Sequence, residues 1–126
     1  MQAAIDSSAL IGYLSGADRP DTRLVHQILE TGTAVLPPVV VTEVLSQPGL
    51  PSEVASLIGT LELLPILDGF WERAGRTRSL VIAKGRRARL ADTLIAQACL
   101  DHDVPLITND ADFKRFATVV RLRLLP

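Results

Sequence analysis

Four short segments of this 126-residue chain each carry an acid in a setting that favours chemistry over solvation. Asp6 closes the apolar start Gln2–Ile5, and Glu43 stands within Val41-Thr42-Glu43-Val44-Leu45. Asp92 opens a helix-periodic run from Ala91 to His102, sharing a face with Ile95, Ala96 and Cys99 at i+3, i+4 and i+7. Asp110 follows Leu106-Ile107-Thr108, and Asp112 lies within the same turn. Taken singly, any of these acids could cap a helix or sit in water. Taken together they weaken that reading, because two carboxylates ~5 Å apart repel by roughly 3 kcal/mol at an effective dielectric of 20. A hard divalent cation with oxygen ligands offsets such repulsion, and carboxylates plus water suit Mg²⁺ or Mn²⁺. A metal held this way binds a phosphodiester, lowers the pKa of water and stabilises a leaving oxygen, with no protein nucleophile needed.

Other chemistries lack their residues. Cys99 is the only cysteine, and His26 and His102 are the only histidines, which excludes a disulfide framework and makes zinc ligation a poor fit. There is no Gly-rich phosphate loop followed by Lys and no Gly-x-Ser-x-Gly elbow. A lone, buried-looking thiol, no basic-then-apolar leader and no apolar run near 18 residues point to a cytoplasmic protein without membrane association. Net charge is −1, yet seven of the thirteen basic residues fall between positions 73 and 89 with no acid among them. Arg86, Arg87 and Arg89, three to six residues before Asp92, are the candidate contacts to substrate phosphates. Arg73, Arg76 and Arg78 read equally well as a solvated helix face, and Phe70 and Trp71 as core rather than base-stacking residues.

The elements that must position these groups follow from pattern. With 48% of its residues hydrophobic and only 4% aromatic, the chain has material for one core of Leu, Val, Ile and Ala, hence a single domain over residues 1–126. Strands are expected at Gln2–Ile5, Thr33–Leu36, Leu61–Leu67, Val104–Ile107 and Val119–Leu122. Between them the reading places helices after Asp6 with Ser7 or Ser8 as cap, from Pro20 to Gly32, over Val39–Leu45, over Ser52–Ile58, from an Asp68 cap to Ala83, over Ala91–His102 and over Asp110–Phe116. The Val39–Leu45 run is ambiguous, since three valines favour strand, and the helix is preferred because two prolines precede it. Strands alternating with helices indicate an α/β fold with a central, mainly parallel sheet flanked by helices, whose sites gather beyond the carboxyl ends of the strands.

Ile5-Asp6-Ser7-Ser8-Ala9-Leu10-Ile11, Val41-Thr42-Glu43-Val44-Leu45, Leu90-Ala91-Asp92-Thr93-Leu94-Ile95-Ala96 and Leu106-Ile107-Thr108-Asn109-Asp110-Ala111-Asp112-Phe113 occur in an order and spacing that resembles the PIN-domain nucleases, especially VapC-like toxins of type II toxin–antitoxin pairs. The resemblance implies a PIN-like three-layer fold, Mg²⁺ or Mn²⁺, and endonucleolytic cleavage of RNA. It maps the metal-binding acids onto Asp6, Glu43, Asp92 and Asp110, with Asp112 as a variable fifth acid. Ser8 and Thr108 match hydroxyl positions that support the first and last acids. It further implies a cognate antitoxin and a homodimer, for which Leu10, Ile11, Leu14, Val54, Leu57 and Ile58 are candidate surface. Two other classes remain in view. One is a PIN-like module that binds RNA or a partner without cutting, which has no need of converging carboxylates. The other is an α/β phosphatase, which would place two Asp two residues apart after the first strand, where this chain has Asp6-Ser7-Ser8.

Overall fold

In the computed structural model, which describes all of residues 1–126, five short strands form one all-parallel sheet. They are β1 (Ala3–Ile5), β2 (Ala34–Leu36), β3 (Glu62–Leu63), β4 (Leu106–Ile107) and β5 (Leu124–Leu125), in the order β3-β2-β1-β4-β5. Ala4 pairs with Val35 on one side and Leu106 on the other, and Ile5 with Ile107. Seven helices complete the chain: α1 (Ser7–Leu14), α2 (Pro20–Thr31), α3 (Pro38–Leu45), α4 (Ser52–Thr60), α5 (Phe70–Ala83), α6 (Leu90–His102) and α7 (Phe113–Ala117). The expected α/β class with a parallel sheet flanked by helices is the one observed. From β1 the chain winds outward through β2 and β3, then returns beside β1 as β4 and continues to β5. The order reverses between β1 and β4, and a crevice forms at such a switch point beyond the carboxyl ends of the strands. Asp6 and Thr108 directly follow those two strands.

β1, β2 and β4 are buried throughout, so their side chains are small or aliphatic and do not alternate with polar ones. α6 is buried at Thr93 and from Ile95 to Cys99, packing against α3, α5 and α7. A polar network fixes it to α5. Thr77 Oγ1 donates to Gln97 Oε1 (2.5 Å), and Gln97 Nε2 donates to Asp101 (2.8 Å). Arg73 grips the same Asp101 through Nε and Nη2 at 2.9 and 2.6 Å and donates from Nη1 to the Asp68 carbonyl. Between α1 and α2, Arg19 forks onto the buried Asp21 at 3.0 Å and lies across Gly12. A Cβ at Gly12 would fall 2.0 Å from Arg19 Nη2, so only glycine leaves room for that fork.

Several expectations need correction. The strand expected over Leu61–Leu67 is only Glu62–Leu63, because Pro65 has no N–H to extend the ladder. The last strand is Leu124–Leu125, not Val119–Leu122, since only there does the chain meet Leu106 and Ile107. Asp6 itself, not Ser7 or Ser8, caps α1. Gly69 in the left-handed region, not Asp68, is the capping residue of α5, and the Asp68 carbonyl accepts from Arg73 Nη1 instead. Trp71 is 62% exposed while Phe70 is buried. Leu10 and Ile58 belong to the core, and cannot offer dimer surface. Arg73 is not simply a solvated helix face, as it holds Asp101, and the exposed Arg78 donates from Nε to the Ala88 carbonyl at 2.8 Å.

Candidate metal centre

At the end of β1 the Asp6 carboxylate is only 2% exposed and fully engaged. Oδ1 accepts the Ala9 N–H and the Ser8 hydroxyl, both at 2.9 Å. Oδ2 accepts the Thr108 hydroxyl at 2.5 Å. Thr108 Oγ1 then accepts the Asp110 N–H (2.9 Å), and Ser8 Oγ accepts the Asn109 N–H (3.2 Å). Two hydroxyls thus tie the end of β1 to the end of β4, and Asp6 to the backbone of Asp110. Burial pushes the Asp6 carboxyl up to about 6, with the neighbouring charge of Asp110 adding to it. The hydrogen bonds from Thr108, Ala9 and Ser8 pull the other way and do not cancel the burial.

Asp92 sits half-buried in the first turn of α6. The capping position belongs to Arg89, which makes no side-chain cap bond, so Asp92 is not held there as a cap. Its carboxyl is also raised to about 6, first by burial, then by the charges of Asp110 and Glu43, with Asp112 adding a smaller push and Arg89 opposing. Glu43, half-buried on α3, accepts the Ser7 hydroxyl at 2.5 Å across 36 residues of chain. This partner is absent from the reading of the sequence, where Ser7 served only as a possible cap. Once Asp6 takes the cap, Ser7 is free to reach α3.

The third group gathers at the turn after β4. The Asp112 N–H donates to Asp110 Oδ1 at 2.9 Å, and one oxygen each of Asp92, Asp110 and Asp112 lie within 4.8 Å of one another. Asp112 is flanked by two guanidinium groups, Arg115 Nη2 at 3.3 Å from Oδ1 and Arg89 Nε at 4.0 Å from Oδ2. Arg115 is a second residue missing from the sequence reading; its signal was its place three residues after Asp112 on a helix. Arg86 and Arg87 are exposed, beyond the hydrogen bonds and ion pairs of the acid cluster. Cys99, 1% exposed on α6, has its thiol pushed up to about 12 by burial, with the Asp6 charge adding to it.

This donor set is all oxygen, partly desolvated and short of positive charge, which suits a hard divalent cation and not zinc or copper. Neighbouring ligands of one octahedral Mg²⁺ stand about 3 Å apart, so the three oxygens, within 4.8 Å of one another, would draw together by side-chain rotation to share an ion. Asp92, Asp110 and, through their charges, Glu43 and Asp6 are the residues placed to hold it.

Comparison with known proteins agrees with this architecture. The PIN-domain family model matches residues 3–119. VapBC2 from Rickettsia felis, solved bound to a DNA fragment from their promoter, contains a chain with TM-score 0.77 and 18% identity, covering 98% of this chain and 97% of that one. VapBC-5 from Mycobacterium tuberculosis, a member of the VapBC family of toxin-antitoxin systems, gives TM-score 0.67 and 20% identity over 98% and 97%. No curated protein matches the chain in sequence.

Proposed function

From the premise that this chain belongs to the PIN-domain family, we propose that it is a divalent-metal-dependent endoribonuclease, the toxin of a VapBC-like toxin–antitoxin pair. The observation that carries the reading is the convergence of Asp92, Asp110 and Asp112 beside Asp6 and Glu43 at the switch point of the sheet. Two of those carboxyls are raised to about 6, so ionising them in the free protein is costly. A module that only binds RNA has no reason to carry that cost. A bound Mg²⁺ or Mn²⁺ would supply charge to an RNA phosphodiester and lower the pKa of an attacking water. Asp6 is held rigidly by Ser8, Thr108 and the α1 backbone, so it fixes the floor of the site at the ends of β1 and β4. Glu43, steadied by Ser7, approaches from α3, and Asp110, steadied by the Asp112 N–H, from the far side.

The reading includes an antitoxin and a homodimer as partners and a cytoplasmic setting. An apolar groove of about 220 Å³, lined by Pro38, Val39, Ile66, Phe70, Trp71 and Leu94, supports a protein partner. No helix is long and apolar enough to cross a membrane. The decisive experiment pairs Mn²⁺ calorimetry with cleavage of a fluorescent single-stranded RNA, with and without chelator. Metal-dependent binding and cutting are expected. A folded protein that binds no Mn²⁺ at millimolar concentration would refute the function.

A further inference from the structure

We propose that Asp112 serves to present the guanidinium groups of Arg89 and Arg115 to a phosphate of the RNA strand, and is not a principal metal ligand. The proposal rests on the metal-dependent nuclease reading and assigns part of its substrate site. Each oxygen of Asp112 faces one guanidinium, Oδ1 toward Arg115 and Oδ2 toward Arg89. The two cations come from different elements, Arg115 from α7 and Arg89 from the residue before α6, and meet on this one carboxylate.

Only part of each guanidinium is used. Arg115 approaches through Nη2 and Arg89 through Nε, while their side chains remain 34% and 60% exposed. A guanidinium has five N–H donors in a fixed fork, so both retain donors for a second anion. Fork recognition of this kind is what phosphate oxygens accept best. The position matters as much as the chemistry. Because Asp112 lies within 4.8 Å of Asp92 and Asp110, groups bonded to it stand at the rim of the acid cluster.

Charge gives the reason such cations are needed. Asp6, Glu43, Asp92, Asp110 and Asp112 repel an RNA backbone, and one divalent ion offsets only two of those charges. Of the other arginines near this helix, Arg73 is held by Asp101 and Arg78 donates to the Ala88 carbonyl, while Arg86 and Arg87 lie outside the ion pairs of the acid cluster. Each Asp112 oxygen already faces a guanidinium, whereas Asp92 makes no ion pair and stays free for a cation.

The test uses two readouts. Affinity for a fluorescein-labelled single-stranded oligoribonucleotide is measured by anisotropy over a NaCl series, in a cleavage-dead Asp92→Asn background. Mn²⁺ affinity is measured by calorimetry with Asp92 intact. Arg115→Ala and Arg89→Ala should each weaken RNA about tenfold at low salt and flatten the salt dependence by about one phosphate contact. Asp112→Asn should weaken RNA comparably while leaving Mn²⁺ affinity within about threefold of the unmodified protein. Arg123→Ala is the control, since Arg123 pairs with Asp103 beyond the far end of α6. It should bind RNA as before, and an equal loss there would overturn the assignment of the effect to the site. An unchanged salt slope in Arg115→Ala, or loss of Mn²⁺ binding in Asp112→Asn, would overturn the proposal while leaving the nuclease reading intact. If the unmodified protein bound no Mn²⁺, the nuclease reading would fall first, and the proposal with it.

Discussion

Replacing Asp6 with asparagine should make the metal-free protein more stable at pH 8 and less stable at pH 4. The Asp6 carboxyl moves from 3.8 to about 6 on folding, chiefly through burial. At 1.36 kcal/mol per unit this is about 3 kcal/mol, on an order-of-magnitude basis. The sign follows from which state holds the proton more tightly. The folded state does, so this contribution is fully present below pH ~4 and is lost as pH rises through about 6. Asparagine never ionises and escapes that loss. It can still accept the Ala9 N–H, but its amide NH₂ cannot accept the Thr108 hydroxyl, which costs about 1 kcal/mol. The net expectation is a gain of about 2 kcal/mol at pH 8 and a deficit of about 1 kcal/mol at pH 4. With an unfolding entropy of about 2.1 cal/mol/K per residue, the gain corresponds to a rise in Tm of about 8 °C. Thermal unfolding with chelator from pH 4 to 8 reads it directly. Asp92 titrates in the same range and stays in both proteins, so the difference between the two curves isolates Asp6. Adding Mn²⁺ should reverse the order at pH 8, because only the unmodified site gains full stabilisation by mass action. Parallel pH curves for the two proteins would refute the reasoning.

Asp92→Asn should lower cleavage of single-stranded RNA by orders of magnitude without lowering Tm in chelator; wild-type turnover would exclude Asp92 from the site. Ser7→Ala deprives Glu43 of its donor, so cleavage should drop about threefold to tenfold at limiting Mn²⁺ and recover at saturation, as a Mn²⁺ titration would show. Arg73→Ala leaves Asp101 without its fork, and should lower the midpoint of urea unfolding. RNA affinity should be unchanged in that variant, which separates a brace between helices from a substrate contact.

Where sequence and structure agree, local pattern and burial point the same way. The run Ala91–His102 has one apolar face and no breaker, and it folds as a helix that carries Asp92 to the crevice. Val39–Leu45 is a helix despite its valines because Pro38 suits a first helical turn and Val40 and Val44 share the buried side. The failures have equally local causes. Val119 and Val120 look like strand, but pairing partners decide a strand, and β4 offers them only to Leu124 and Leu125. Phe70 and Trp71 are neighbours on a helix, about 100° apart, so the core could take only one of them. Asp6 and Asp110 are legible through their positions after strands and Asp92 through the apolar face it shares, whereas the contacts joining Ser7 to Glu43 and Arg115 to Asp112 depend on side-chain reach that spacing alone does not encode.

The buried thiol on α6 has a use for the experimenter. At pH 7 a group raised to about 12 is thiolate only about once in 10⁵ molecules, and no reagent reaches it while the helix is seated. Modification of Cys99 must therefore wait for α6 to lift from its neighbours, and its rate becomes a clock for that opening. The same helix bears Asp92 seven residues earlier, two turns along the axis. A cation bridging Asp92 to Asp110 would hold the helix down and slow the clock, so the chain's single thiol reports occupancy of a site it never touches.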